Sequence, residues 1–147
     1  PFTSWRQYII EPNTILCGVL WFPFLKKRSN KGIMSKVFKI CEEDDWESTK
    51  NEDFFLGSKT DRNDGFIHFS TSKQLEETLE KYFKSKSPLY LLEVKTDDLE
   101  LVWEISRNNQ LFPHLYSPLP LNMVSQVHII FMDDEGKHII PEQVLKN

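Results

Sequence analysis

Glycine is scarce in this chain: five residues in 147. None of the five builds a glycine-rich phosphate loop, and there is no nucleophile elbow and no HExxH metal helix. Cysteine is scarcer still. Cys17 and Cys41 stand alone, with no metal-type spacing and no disulfide framework. That fits a reducing, cytoplasmic setting and a reduced, partly buried Cys41 without any neighbouring sign of activation. Long apolar runs are missing too. The longest, Thr14 to Leu25, spans 12 residues and is too short to cross a bilayer. Its basic cluster Lys26-Lys27-Arg28 follows it, the reverse of a secretory signal. No repeat or low-complexity tract occurs.

Aromatic residues, by contrast, are plentiful. Eleven Phe, four Trp and four Tyr can fill the core of one compact domain. Charge is uneven. Residues 1–33 carry five basic side chains against the single acid Glu11, so the excess of acids lies in the rest. An acidic body repels phosphate backbones, which argues against non-specific nucleic-acid binding; no membrane partner is expected either, and the oligomeric state is left open. Residues 1–33 read as an extension outside the fold, and 34–147 as a single domain opening at Met34.

Apolar patterning divides that domain. Strands are expected at Val37–Ile40, Phe66–Phe69, Leu89–Val94, Glu100–Ile105, Val127–Met132 and His138–Ile140, the last two forming a hairpin around Asp133-Asp134-Glu135-Gly136. Leu89–Val94 alternates little, so it belongs at a sheet centre. Acids at 42–45 start one helix. A second carries Leu75, Leu79, Tyr82 and Phe83 as one apolar stripe. The segment from Gly57 to Gly65 reads as a surface loop, and the one from Phe112 to Pro120 as an irregular, proline-stiffened loop. The sum is an α+β fold with small, mostly antiparallel sheets and two helices.

The chemistry concentrates in two segments, Asp64-Gly65-Phe66-Ile67-His68-Phe69-Ser70-Thr71 and Leu111-Phe112-Pro113-His114-Leu115-Tyr116. Each sets a histidine in an apolar run, where an imidazole needs a partner or a ligand. Alternation puts Phe66 and His68 on one face. His68 is either a core histidine bonded to a carbonyl or a site residue beside Ser70 and Thr71, which either cap the next helix or open a phosphate pocket at its start. Glu104 faces inward with Val102 or outward to water; Arg107 is its nearest cation in sequence. His114, Tyr116 and Phe112 are held in the stiff loop. Two histidines and Glu104 could form a two-histidine, one-carboxylate metal set, but the spacing is not local and no metal is assigned.

These segments, with Gln74, Leu91-Leu92-Glu93-Val94, Trp103-Glu104 and Ser117-Pro118-Leu119-Pro120, resemble the family called domain of unknown function 952 from about Met34 onward. Ser117 replaces a glycine usual in that pattern. The resemblance implies a fold like the ADP-ribosyltransferase superfamily, which includes RNA 2′-phosphotransferase relatives and binds NAD between two small sheets. It implies further that Ser70-Thr71-Ser72 holds a ribose or phosphate and that Lys39 stands where a first-strand basic residue would. Glu104, with His68, would be catalytic. Lys39, Ser70, Thr71, Arg107, Phe112, His114 and Tyr116 would bind the ligand, a nucleotide or other small anion with NAD as the candidate substrate. A non-catalytic binding module on the same fold is the alternative.

Overall fold

The computed structural model describes residues 36–146; the extension at 1–33, its boundary at Met34, and Cys17 lie outside them. Among those residues, no helix is long and apolar enough to cross a membrane.

A three-stranded antiparallel sheet runs through the centre: β1 (Lys36–Glu42), β4 (Leu89–Lys95) and β8 (Val124–Ile130), in the order β1-β4-β8. β4 is buried along its length except at Lys95, which explains its unbroken apolar sequence. Its alternate side chains serve two cores. Leu89 and Leu91, with Phe38 and Ile40 of β1, pack under α3 (Leu75–Tyr82) and α4 (Glu142–Leu145) through Leu75, Leu79 and Val144. Tyr90, Leu92 and Val94 face the other way, with Val37 and Cys41.

That second face is covered by two smaller antiparallel sheets. β3 (Ile67–His68), β6 (Leu111–Leu115) and β5 (Leu101–Ile105) form one, in the order β3-β6-β5. β2 (Phe54–Phe55) and β7 (Leu119–Pro120) form the other. Phe55, Ile67, Phe69, Leu101, Leu115 and Leu119 supply the buried side chains of this layer. Past β3, Ser70 exchanges backbone hydrogen bonds with Phe38 at 2.8 and 2.9 Å. The histidine-bearing segment is thereby tied to β1 of the central sheet.

The α+β expectation holds, with four corrections. Gly57–Gly65 is not an open loop. It contains α2 (Lys59–Asp64), started by a reciprocal Ser58–Asp61 capping box and ended by Gly65 in the left-handed region at φ 88°. With α1 (Glu43–Glu47) and α4, this makes four α-helices among the described residues rather than two. The segment from Phe112 is not irregular either: Leu111–Leu115 is the middle strand β6. Pro113 gives up a donor there, but its carbonyl accepts the Phe69 N–H at 3.0 Å. The last hairpin shrinks to one bridge, Met132 with His138, because β8 starts earlier and pairs with β4. Finally, Tyr82 leaves the apolar stripe: Leu75 and Leu79 are buried, whereas Tyr82 is exposed.

Candidate functional site

His68 and His114 come together because β3 and β6 pair in register, His68 opposite His114. Side chains directly opposite on one face of an antiparallel pair are neighbours. Their ring centroids stand 5.4 Å apart, edge to face. Phe66 joins the group, 4.6 Å from the His68 ring, 4.3 Å from His114 and 5.1 Å from Tyr116. The expected convergence of the two histidine segments is met.

Each imidazole rests on a carboxylate. Asp61 of α2 is buried and takes His68 Nδ1 on Oδ1 at 2.6 Å; Oδ1 also accepts the His68 backbone N–H at 3.2 Å. Oδ2 accepts the Ser58 N–H at 2.8 Å and meets Lys39 Nζ at 2.6 Å. Burial pushes the Asp61 carboxyl up, but Lys39 and the bonds from His68 outweigh it, and the group is held well below the ordinary carboxylate range. An ionised Asp61 requires the proton on His68 Nδ1. Nε2 then points toward Asp64, whose Oδ2 lies 3.1 Å away. Lys39 itself is buried on β1, so its ammonium is neutralised inside the protein.

His114 is backed from β5. Val102 is its direct partner, and Glu104 sits two residues along the same strand face, within diagonal reach. Glu104 Oε2 takes His114 Nδ1 at 2.7 Å and the Tyr116 hydroxyl at 2.6 Å. Burial lowers the proton affinity of His114; Glu104 opposes this but does not overcome it. Arg107, the cation nearest Glu104 in sequence, is elsewhere. Asn108 and Asn109 turn the chain through left-handed backbone at φ 56° and 58°. Arg107 lies against α3, with Nη2 donating to Thr78 at 3.1 Å and Nε 3.3 Å from Glu77.

A cleft of about 380 Å³ opens beside the histidines, within the usual range for small-molecule sites. Lys39, His68, Ser70, Arg107, Phe112 and His114 line it, as six of the nine residues singled out in the sequence. Glu104, Thr71 and Tyr116 do not line it. Glu104 reaches the cleft only through His114, and Tyr116 donates its hydroxyl to Glu104 with its ring 5.1 Å from that of Phe66. Of the two readings of the helix start, capping is the one the structure shows: Thr71 and Gln74 form a reciprocal capping box, with the Thr71 N–H donating to Gln74 Oε1 at 3.0 Å. Asp61 was missed in the sequence, although the Ser58-to-Asp61 spacing of a capping box is visible there. Cys41 also lines the cleft, but burial pushes its thiol up to about 12, away from the thiolate form. Among the described residues, no three His, Cys, Asp or Glu side chains gather as a metal set.

A family profile described as protein of unknown function (DUF952) matches residues 40–127. Solved structures of protein CC0527 from Caulobacter crescentus are similar over almost their whole length. Its crystal structure is 34% identical with a TM-score of 0.70, covering 75% of this chain and 98% of that one. Its solution NMR structure is 38% identical with a TM-score of 0.63, covering 71% and 91%. No curated protein matches the chain. The chain belongs to the DUF952 family.

Proposed function

We propose that this DUF952 protein binds a small, nucleotide-type anion in the cleft and moves protons on it through His68 and His114. The reading rests on one observation: two carboxylate-backed imidazoles, 5.4 Å apart, on the wall of a cleft large enough for such a ligand. Carboxylate–imidazole pairs are the usual apparatus of general acid–base catalysis, because the carboxylate fixes the tautomer and orientation of the ring. Here His68 and His114 take and return the proton of a hydroxyl or water. Asp61 and Glu104 act behind them as positioning residues. Arg107 and Ser70 hold the anion, and the Phe112 ring, 4.8 Å from the Arg107 guanidinium, supports that side chain.

Group transfer or hydrolysis of a nucleotide, of ADP-ribosyl- or phosphotransferase type, is the reaction class. NAD belongs among the substrates to be tried. A ligand-binding module without chemistry is the second reading. It is favoured by the ion pair of Lys39 and Asp61, which leaves one cleft cation already neutralised.

Calorimetry and thermal shift with NAD, ADP-ribose and nucleoside phosphates test for binding. Release of nicotinamide or phosphate then tests for turnover. Binding with turnover that His68→Asn abolishes supports the enzyme. Binding without turnover supports the module. No binding by any of these removes both.

A further inference from the structure

We infer that the outer edge of β8 is a self-association surface, on which a second copy of this chain pairs antiparallel and joins the two central sheets into one. The surface is separate from the cleft, which no residue of β8 lines.

β8 is an end strand of the order β1-β4-β8, and among the described residues no strand pairs with its other side between Gln126 and Ile129. Alternation shows which main-chain groups are open there. Met132 donates its N–H to Ser87 Oγ, just before β4, at 3.3 Å; Phe131 turns its carbonyl the opposite way and accepts the Ile139 N–H at 2.9 Å. Counting back by twos, Val127 and Ile129 point their N–H and C=O groups away from β4. Natural sheet edges are blunted by charge, proline or a covering element. This one is not. The chain carries a net charge of −4, yet no Asp, Glu, Lys or Arg occurs from Val124 to Met132. The apolar side chains Val127, Ile129 and Phe131 are 37%, 51% and 56% exposed.

A second copy is the occupant that fits the limits of this edge. At one end, Ile139 already fills the place beside Phe131. At the other, Glu93 faces Gln126 while Val94 faces Val124, so Ser125 is an extra residue, and such a bulge bends a strand. A copy related by a two-fold axis at His128 sets Val127 of each chain opposite Ile129 of the other, and Gln126 opposite Ile130. Each Val127–Ile129 pair can exchange both of its main-chain hydrogen bonds, with the two apolar side chains on one face. Ser125 then falls opposite Phe131, so the bulge turns each chain away where Ile139 of the other stands. His128 does not obstruct the axis, because its Nε2 is drawn back onto buried Glu93 at 2.8 Å. Charge favours the same occupant. Two acidic bodies repel, and the uncharged strand is where they can approach; a basic partner would find no carboxylate on it. A pairing this short covers less than the ~800 Å² per partner of a standard interface, so a dissociation constant on the order of 100 µM is expected.

Sedimentation equilibrium of the full chain, from about 10 µM to about 1 mM, should show monomer passing into dimer. Amide exchange read by NMR should slow at Val127 and Ile129 as the concentration rises. Ile129→Lys sets an ammonium against Val127 of the other copy and should weaken the dimer by about tenfold or more. Ile105→Lys, at a 69% exposed position on β5, should leave the dimer within about twofold. A protein that stays monomeric at the highest concentration overturns the inference. So does a dimer that a folded Ile129→Lys protein forms as well as the parent, which would place the contact elsewhere. Should Ile129→Lys fail to fold, amide exchange in the parent decides. Rates at Val127 and Ile129 that do not change with concentration overturn the inference, and rates already slow in dilute protein would give the edge to another segment of the same chain.

Discussion

Asp61 and Lys39 meet at 2.6 Å, each almost wholly buried, and the same carboxylate holds His68 Nδ1. One acid on a six-residue helix thus ties β1, α2 and β3 together at the floor of the cleft. His114 is backed in a different way, by a carboxylate from β5 that is 40% exposed. The two imidazoles therefore face unlike surroundings although they stand side by side.

Asp61→Asn should be strongly destabilising. It removes the counter-charge of a buried ammonium and leaves Lys39 unpaired, a loss of about 3–5 kcal/mol. Lys39→Met should relieve part of that loss in the double variant, because the two sites share one interaction. Denaturant melts of the four proteins give the coupling. Additive losses would show that the pair is not the source. The pH dependence follows from the same group. Its carboxyl is depressed in the fold, so its contribution is present above about pH 4 and is lost as pH falls below that, where the unfolded chain binds the proton first.

His114 should make the fold sensitive to mild acid. Its folded proton affinity is lowered, first by burial, so between the folded value and the ordinary imidazole value the unfolded chain binds more protons. Stability from this group is full above about pH 6.5 and declines as pH drops through that window. Melting temperature recorded from pH 8 to 5 should fall, and the fall should be shallower in His114→Gln. An identical slope in the variant would assign the effect to other groups.

Gly57 and Gly136 offer an internal control for how tightly Asp61 is placed. Both have positive φ, 96° and 81°, so alanine is strained by about 1 kcal/mol at either. Only at Gly57 would the added Cβ also meet Asp61, 2.6 Å from its Cβ; at Gly136 it meets nothing within 4 Å. Gly57→Ala should therefore lower the melting temperature well beyond Gly136→Ala and should disturb the His68 resonances. Equal losses would mean that Asp61 has room to move.

Some of this architecture was readable from residue order. The unbroken apolar run at Leu89–Val94 marks a strand covered on both faces, and the spacing of Leu75 and Leu79 marks a helix that buries one side. Alternation around His68 is also local, and it places Phe66 and His68 together correctly. What stayed hidden is what sequence proximity cannot carry. α2 has no apolar stripe at all; polar capping starts it, and Asp61 matters because β1 and β3 arrive from elsewhere. Glu104 and Arg107 are near in sequence, yet the left-handed turn at Asn108 and Asn109 sends them to different partners. Pro113 looks like a loop signal until its carbonyl finds Phe69 across the sheet.

Glu104→Gln separates positioning from folding. The side chain is partly exposed, so its amide counterpart costs little stability. Its effect on His114 has a definite sign. Glu104 raises the proton affinity of that ring through charge and hydrogen bond, against the lowering by burial. Removing the charge lets burial act with less opposition, and the His114 titration should move to lower pH. Tyr116→Phe removes a hydroxyl that donates to the same Oε2 without changing charge, so its shift should be smaller. NMR titration of the imidazole C–H signals reads both variants directly, with no need for a substrate. In a turnover assay the acid limb of the pH profile should move the same way. A His114 midpoint that rises in Glu104→Gln, or stays fixed, would show that the carboxylate does not set the proton affinity of that ring.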